Sequence, residues 1–281
     1  MPFEGTEFQR EIEVCLELTR EAGILAIRCR DGDLHVEMKD GDEPVTVADR
    51  MASDYIVSRL AKEFPDDTII SEENADDLAR LTAERVWYVD PIDGTKDFIR
   101  GDEGFCVMVG LTIKGRPGLG VIYQPTGRRS FAAAPGCGTW LYAPGEEPQQ
   151  VRVSDTSDPT KVRLVASKSH RDEKIDSVKS ALGIANEFNI GSVGLKLGLI
   201  AVGERDLYVN PTPRCKYWDT CGPEALLVEA GGLMTDINGR PLRYDEEDTH
   251  HHRGLLASNG KVHEAVVAKL NPLFPPDRAI E

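Results

Sequence analysis

The sequence predicts an α/β protein of two domains, and three observations lead to this prediction. The chain has 281 residues, and domains commonly contain roughly 100–200 residues, so about two domains are expected. A polar, turn-rich segment at residues 143–161 is the best candidate boundary, near residue 155. In the second half, strand patterns alternate with helical patterns, as in layered α/β domains. We therefore predict domains at residues 1–155 and 156–281.

Two helices are predicted near the start of the chain. Apolar residues recur at helical spacing from Thr6 onward, which indicates an amphipathic helix; they are Phe8, Ile12, Cys15, Leu16, Leu25, Ala26 and Cys29. A polar, glycine-bearing segment follows at residues 31–44. The sequence Thr46-Val47-Ala48-Asp49 then has the Thr-x-x-Asp pattern that caps a helix start. The apolar face of this second helix continues to Phe64, and Pro65 ends it.

Short apolar runs in the first half are typical of β-strands, and two of them end in acidic residues. Residues 68–70 lead into Ser71-Glu72-Glu73, and residues 86–89 lead into Asp90-Pro91-Ile92-Asp93-Gly94-Thr95. Further strands of the same sheet are predicted at residues 104–115, 118–125 and 130–140.

The second half alternates more regularly. Strands are predicted at residues 161–167, 186–191 and 205–210. Helices are predicted at residues 172–182, 194–204 and 219–230. The last helix is closed by Gly231-Gly232.

The charge balance excludes several classes of partner. Lys and Arg number 33 against 48 Asp and Glu, a net charge of −15. Such a chain repels phosphate backbones and anionic membrane surfaces, so we expect neither a nucleic-acid polymer nor a membrane as partner. Without a signal-peptide pattern or an apolar run of the ~18 residues that a membrane span needs, a cytoplasmic protein with free thiols is expected. The run His250-His251-His252 is expected in a solvated loop.

The segment from Asp90 to Thr95 carries the most specific chemistry. An apolar strand delivers two carboxylates onto a turn in which Pro91 fixes one backbone angle and Gly94 permits a sharp bend. Both carboxylates and a backbone carbonyl could then meet at one point, and these are the oxygen ligands that Mg²⁺ prefers. Taken alone, the segment equally fits a β-turn with solvated acids.

Three blocks of the sequence resemble the signature of the inositol monophosphatase superfamily of Mg²⁺-dependent, Li⁺-sensitive phosphatases. They are Ser71-Glu72-Glu73, WYVDPIDGTKDF at residues 87–98 and YWDTCGPEALLVEAGG at residues 217–232. They occur in the order and at the separations usual for the family, and residues 39–49 resemble a fourth family element. The resemblance implies a layered αβαβα fold of two domains with the site in the cleft between them.

The resemblance also implies a set of metal ligands. Glu72 would bind Mg²⁺ directly, and Asp90, the carbonyl of Ile92 and Asp93 would share two metals. Asp219 would close the second metal site from the other domain, although its residue type at a helix start also fits a simple cap. Most ligands would thus belong to an N-terminal α+β domain and one to a C-terminal α/β domain.

The catalytic pair implied by the family is Asp49 and Thr95. These residues would activate the attacking water, with Asp49 near a third metal position, although Asp49 also fits a helix cap. For Glu73, plain solvation is as good an interpretation as a role around the metal. The implied cofactor is two or three Mg²⁺ ions, with Li⁺ inhibitory.

The resemblance implies substrate-binding residues in two blocks of the second half and in residues 90–95, which we call the metal loop. The block Ser167-Lys168-Ser169-His170 resembles a nucleotide-handling segment of the 3′(2′),5′-bisphosphate nucleotidase branch, in which Ser167 and His170 would contact the substrate. In residues 191–196, Ser192 and Lys196 would hold the 5′-phosphate or the sugar–base region. Gly94 and Thr95 are expected to contact the substrate as well. Without the resemblance, Ser167 fits a turn cap and Lys196 a surface charge.

The function implied is Mg²⁺-dependent hydrolysis of the 3′-phosphate of 3′-phosphoadenosine 5′-phosphate to AMP and phosphate. The partner would be a small phosphate ester, and the protein a monomer or homodimer. Two alternatives remain: a phosphatase acting on inositol 1-phosphate or fructose 1,6-bisphosphate, and a non-catalytic cation- or ligand-binding protein. Inositol phosphatases typically carry a glutamate seven residues before the aspartate of the Trp-Asp pair. Thr212 occupies that position here, which weakens the inositol alternative.

Overall fold

A computed structural model describes residues 2–32, 34–39, 43–169 and 171–277. The helices are α1 (Gln9–Arg30), α2 (Val47–Glu63), α3 (Thr95–Arg100), α4 (Lys174–Leu182), α5 (Val193–Ala201), α6 (Tyr217–Glu229) and α7 (His263–Leu270). The first-half strands are β1 (Val36–Lys39), β2 (Glu43–Thr46), β3 (Thr68–Ser71), β4 (Arg85–Asp93), β5 (Cys106–Ile113), β6 (Arg116–Gln124), β7 (Arg129–Ala134), β8 (Gly138–Tyr142) and β9 (Gln149–Val151). The later strands are β10 (Leu164–Ser167), β11 (Glu187–Ile190), β12 (Leu207–Asn210), β13 (Leu233–Thr235) and β14 (Leu255–Ser258).

Two large sheets organise the chain. Strands β3 to β9 form a seven-stranded sheet in sequence order, parallel between β3 and β4 and antiparallel elsewhere. Strands β10 to β14 form a five-stranded sheet of order β11-β10-β12-β14-β13. In that sheet, β10 pairs in parallel with β11 and β12, whereas β14 pairs antiparallel with β12 and β13. The two sheets fall on either side of residue 155, and the division into domains there stays a prediction.

The seven-stranded sheet is buried on both faces. Val107, Val109 and Leu111 of β5 pack into the cluster formed with α1 and α2. Cys106 and Met108, which alternate with them, pack on the opposite side with side chains of α5 and α6. This alternation follows from the two-residue repeat of a strand, and it places helices on both sides of the sheet.

The five-stranded sheet completes the layers. One buried cluster joins Tyr88 of β4, Leu197 of α5 and Val165 of β10, so α5 and α6 lie between the two sheets. The other face of the five-stranded sheet packs against α4 and α7. The order of layers is therefore helix, sheet, helix, sheet, helix, which confirms the predicted αβαβα arrangement.

Helix α6 contacts the seven-stranded sheet through backbone atoms. A Cβ atom added to Gly110 would lie 2.4 Å from the nitrogen of Gly222, and one added to Gly120 would lie 2.2 Å from the oxygen of Gly222. Such separations are shorter than any van der Waals contact, so β5 and β6 accommodate the helix only because these positions are glycine.

Two sequence expectations need correction. Strands β1 and β2 overlap the polar segment for which the sequence predicts no element, and they pair antiparallel with Val36 opposite Thr46. The expectation of a solvated loop for the histidine run is wrong for His251, whose side chain is buried and whose Nε2 lies 2.8 Å from Thr220 Oγ1. The rings of Tyr217 and Tyr244 pack against it. Burial lowers the pKa of His251 to about 3, so the imidazole stays neutral.

We expect Gly120→Ala to lower the free energy of unfolding by about 1–3 kcal/mol, the usual cost of adding bulk to a packed core. The added methyl carbon would force α6 away from β6. Thermal denaturation followed by circular dichroism measures the effect. Gly32→Ala is the matched control, because a Cβ atom there meets its nearest neighbour at an ordinary 3.5 Å. Equal losses in the two variants would contradict the prediction.

Candidate active site

Asp90 and Asp93 lie at the end of β4, where a β-bulge interrupts the pairing with β5. Asp90 lies opposite Met108 and Asp93 opposite Cys106, so three residue steps on β4 face two on β5. Pro91 in the bulge has no N–H to donate, which suits a break in the ladder. Bulges redirect side chains, and both aspartates line one cleft of the protein.

Glu72 reaches the same cleft from the neighbouring strand. It directly follows β3, and its backbone N–H donates a hydrogen bond to the carbonyl of Val89 at 3.1 Å. Glu72 therefore lies beside the residue that precedes Asp90. Because β3 and β4 are parallel, their carboxyl ends meet at one edge of the sheet and both carboxylates line the cleft.

Gly94 forms the turn between β4 and α3. Its φ of 94° is left-handed, and an added Cβ atom would lie 2.5 Å from the carbonyl oxygen of Gly104. Conformation and space thus both require glycine. The next residue, Thr95, begins α3, and its hydroxyl donates to the carbonyl of Ile92 at 3.0 Å. The turn brings Gly94, Thr95 and Ile92 to the cleft wall.

Asp49 lies behind Thr95 and is buried in the first turn of α2. Its Oδ2 accepts hydrogen bonds from the N–H of Thr46 at 2.8 Å and from the hydroxyl of Thr46 at 2.6 Å. The cap predicted from the sequence is therefore confirmed. Its other oxygen, Oδ1, lies 3.4 Å from Thr95 Oγ1. Since Thr95 has a single hydroxyl hydrogen, it donates either to Asp49 or to the carbonyl of Ile92 at any moment.

Asp219 comes from the other half of the chain. It lies in the first turn of α6, and its Oδ2 accepts a hydrogen bond from the N–H of Lys216 at 2.7 Å. This is the cap that the sequence allowed. The residue also lines the cleft that holds the acids of β3 and β4, so the two interpretations of Asp219 are compatible.

Burial and mutual repulsion raise the pKa values of these carboxyl groups. The pKa of Asp90 lies well above its usual value, first because the group is buried and then because Glu72, Asp93 and Asp219 carry like charge. Burial and the charge of Asp93 raise the pKa of Asp219 in the same way. Burial also raises the pKa of Asp93, while the charge of Lys196 opposes the rise. A bound divalent cation would offset the repulsion.

The donor set fits Mg²⁺, because it consists of hard carboxylate and carbonyl oxygens. Among the described residues, no three Asp, Glu, His or Cys side chains converge closely enough to enclose an ion by themselves. Mg²⁺ usually keeps several waters and is held by one or two carboxylates together with substrate phosphates. An open acidic wall therefore fits Mg²⁺ better than an enclosed cage would.

The cleft has a volume of about 450 Å³ and gathers most of the predicted site residues. It is lined by Glu72, Asp90, Ile92, Asp93, Gly94, Thr95, Ser167, Ser192, Lys196 and Asp219. Asp49 stands behind this wall, in contact with Thr95. His170 lies outside the described residues. The structure thus brings both halves of the predicted site to one place, and the roles of the individual residues stay predictions.

The start of α5 connects the substrate residues to the acidic wall. The hydroxyl of Ser192 donates to Asp93 Oδ2 at 2.6 Å, and the N–H of Gly194 donates to the same oxygen at 2.8 Å. Lys196, one turn further along α5, is buried, and its Nζ donates to the carbonyl of Ser192 at 2.9 Å. Burial lowers the pKa of Lys196, whereas the nearby Asp93 opposes the shift. Ser192 therefore positions Asp93, and its contact with a substrate stays a prediction.

Several cleft residues had not been predicted. They are Pro44, Lys96, Asp97, Ser169, Arg171, Asp172, Gly191, Val193, Tyr208, Asn210, Arg214, Cys215, Lys216 and Trp218. The signal available for Asp97 was its place in the block at residues 87–98, four residues after Asp93. Thr212 also lines the cleft and donates its hydroxyl to Asn210 Oδ1 at 2.8 Å.

Comparison with known proteins gives the assignment. Residues 9–273 match the inositol monophosphatase family. The chain belongs to this family. Over 249 residues it is 34% identical to the 3′(2′),5′-bisphosphate nucleotidase CysQ of Escherichia coli strain K12, which covers 88% of this chain and 98% of that protein. It is therefore a phosphoric monoester hydrolase.

Solved structures share the fold. The IMPase of Thermotoga maritima superposes with a TM-score of 0.80 at 26% identity, covering 94% of this chain and 98% of that one. CysQ from Bacteroides thetaiotaomicron superposes with a TM-score of 0.76 at 27% identity, covering 91% and 98%. The fold is therefore shared with one protein named as an IMPase and with one named CysQ.

We expect Asp93→Asn to reduce Mg²⁺-dependent phosphate release by on the order of 100-fold. Removing a group that only hydrogen-bonds to a metal ligand already lowers metal affinity or activity by about 10- to 100-fold, and Asp93 is expected to be a ligand itself. Calorimetric titration with Mg²⁺ should show weakened binding, while circular dichroism shows an intact fold. Asp66→Asn, at an exposed position, is the control and should behave as the wild type. Near-normal turnover and Mg²⁺ affinity in Asp93→Asn would exclude this carboxylate from the metal site.

Proposed function

We propose that this phosphatase is a Mg²⁺-dependent 3′(2′),5′-bisphosphate nucleotidase that converts 3′-phosphoadenosine 5′-phosphate to AMP and inorganic phosphate. One observation carries the proposal: a single cleft holds the acidic ends of β3 and β4 and, from α5, the buried Lys196. Such a cleft would offer a metal-binding wall to the phosphate that is cleaved and a lysine ammonium group to a second phosphate that is kept.

The names of the relatives support this choice of substrate. A second nucleotidase relative, 3′(2′),5′-bisphosphate nucleotidase 1 of Rattus norvegicus, is 28% identical over 291 residues, covering 89% of this chain and 90% of that protein. Thr212 stands where inositol phosphatases are expected to carry a glutamate, and its hydroxyl is already bonded to Asn210. Both observations favour a nucleotide over inositol 1-phosphate or fructose 1,6-bisphosphate.

Enzymes of this family generally use Mg²⁺. We propose that Glu72, Asp90, the carbonyl of Ile92, Asp93 and Asp219 hold two or three such ions, and that Li⁺ inhibits. The bound metal would neutralise phosphate charge and make a water molecule nucleophilic.

The protein groups beside the metal wall would handle the proton of the attacking water. The Thr95 oxygen can accept a hydrogen bond from that water when its own hydrogen is donated to Asp49 Oδ1 and not to the carbonyl of Ile92. Asp49 is held from behind by the N–H and hydroxyl of Thr46, so it presents one oxygen toward Thr95. A hydroxyl is a poor base alone, and the carboxylate supplies the basicity.

The remaining expectations concern the surroundings of the enzyme. Among the helices of the described residues, none combines the length and apolar character that crossing a bilayer requires. We propose a small-molecule phosphate ester as the substrate, neither a nucleic-acid polymer nor a membrane as partner, a monomer or homodimer in solution, and a cytoplasmic location.

The proposed function is tested by measuring phosphate release from 3′-phosphoadenosine 5′-phosphate and from inositol 1-phosphate side by side. Both are assayed with Mg²⁺, with and without Li⁺, and after removal of the metal with EDTA. We expect a higher kcat/KM for the nucleotide and no release without metal. Preference for inositol 1-phosphate would keep the metal site and refute the substrate, and activity on neither ester would refute the proposed reaction.

We expect Lys196→Ala to raise KM for 3′-phosphoadenosine 5′-phosphate by about tenfold or more, because a charged hydrogen bond is worth about 1.5–3 kcal/mol. KM for adenosine 3′-monophosphate, which lacks the second phosphate, should change much less. Lys196→Met tests the same point with the apolar stem retained. Lys161→Ala, at an exposed ion pair with Asp158, is the control. Equal KM changes for both nucleotides would show that Lys196 does not recognise the second phosphate.

A further inference from the structure

Asp97 is a buried carboxylate that the mechanism above leaves without a role. It lies in the first turn of α3, four residues after Asp93, and its side chain is almost fully inaccessible to solvent. Buried carboxylates are costly unless they are hydrogen-bonded or paired. Its partners therefore show what this carboxylate does.

Those partners come from the second half of the chain. Oδ2 of Asp97 accepts a hydrogen bond from the backbone N–H of Gly191 at 3.1 Å. Oδ1 accepts one from the hydroxyl of Ser169 at 2.9 Å. Arg100 lies 3.8 Å from Oδ1 and also donates to the Ser169 oxygen at 3.1 Å. One side chain of α3 thus binds two separate segments, the one after β10 and the one before α5.

Two glycines make room for this carboxylate. A Cβ atom added to Gly104 would lie 2.1 Å from Asp97 Oδ2, and one added to Gly191 would lie 2.4 Å from the same oxygen. The carboxylate is therefore enclosed between two backbone segments that approach within contact distance. The close packing leaves the Asp97 side chain little room to change its position.

The segment that Asp97 binds leads directly into the substrate helix. Gly191 is followed by Ser192, a non-glycine residue with a φ of 54° that starts α5. Ser192 and Gly194 donate to Asp93, and Lys196 lies one turn further along. Asp93 and Asp97 therefore accept hydrogen bonds from neighbouring residues of the same turn, Asp97 from Gly191 and Asp93 from Ser192 and Gly194.

We propose that Asp97 is a positioning residue that fixes the turn at residues 191–192 against the metal loop, and so sets where α5 presents Lys196 to the substrate. The expected effect on substrate binding rests on the proposed function. The positioning of the backbone at residues 191–194 does not depend on it. A left-handed φ at a residue other than glycine costs energy. The hydrogen bond from Gly191 to Asp97 is one of the contacts that hold this conformation.

Hydrogen–deuterium exchange read by mass spectrometry tests the positioning without reference to any substrate. In Asp97→Ala we expect the amides of residues 191–194 to exchange about tenfold faster, because the N–H of Gly191 loses its charged acceptor. Asp97→Asn should exchange nearly as the wild type, since an amide oxygen can still accept from Gly191 and its nitrogen can donate to Ser169.

Asp206→Ala is the matched control for removal of a buried carboxylate. Asp206 is fully buried and is bonded to Arg163 and Ser154. We expect this variant to lose thermal stability but to keep wild-type exchange at residues 191–194. Unchanged exchange there in Asp97→Ala, or an equal increase in Asp206→Ala, would overturn the proposal.

Steady-state kinetics then separate positioning from general stability. We expect Asp97→Ala to raise KM for 3′-phosphoadenosine 5′-phosphate by about tenfold, with kcat changed less than about threefold, and Asp97→Asn to restore KM. A KM unchanged in Asp97→Ala would overturn the substrate part of the proposal. If the wild type does not hydrolyse this nucleotide, the proposed function fails, and the exchange result still decides the positioning role.

Discussion

The direct contact of α6 with β5 and β6 fixes the geometry on which the cleft depends. Gly222 touches the backbone beside Gly110 and Gly120, and Asp219 lies three residues earlier on the same helix. Strand β5 is also the partner of β4 at the bulge between Asp90 and Asp93. Strand β5 therefore contacts both elements that carry the acids: β4, which carries Asp90 and Asp93, and α6, which carries Asp219. Backbone contacts of this kind are stiffer than contacts between long side chains, because no rotamer can adjust to relieve them.

The acids that this contact brings together oppose folding. Burial and like charge raise the pKa values of Asp90 and Asp219 well above their usual range, so keeping these groups ionised costs free energy. The protein offsets part of the cost at Asp93, where Ser192 and the start of α5 supply hydrogen bonds. A bound cation would relieve the remaining repulsion, so the free energy lost by burying these acids would be recovered when the proposed metal binds.

Much of the fold could be predicted from local patterns in the sequence, whereas the meeting of Glu72, Asp90 and Asp219 in one cleft was implied by the family resemblance. The Thr-x-x-Asp cap at Thr46 and the strand ending in Asp90 are signals within a few residues, and the structure contains both. The role of Asp97 and the burial of His251 depend on partners that are distant in sequence, such as Gly191 and Thr220. Residue type and spacing hold no information about such partners, since only the packed layers bring them into contact.

The strand order of the two sheets has a consequence for biosynthesis. In the seven-stranded sheet every strand pairs with its neighbour in the chain, so this sheet can assemble early from short-range pairings. The last strand of this sheet ends at Val151, and helix α6, which covers β5 and β6, begins at Tyr217, a delay of roughly 3–13 s at usual rates of translation. Until α5 and then α6 have been synthesised, the face of the sheet that carries Cys106 and Met108 lacks the helices that cover it. The emerging chain therefore passes through a stage at which a chaperone would protect it from aggregation.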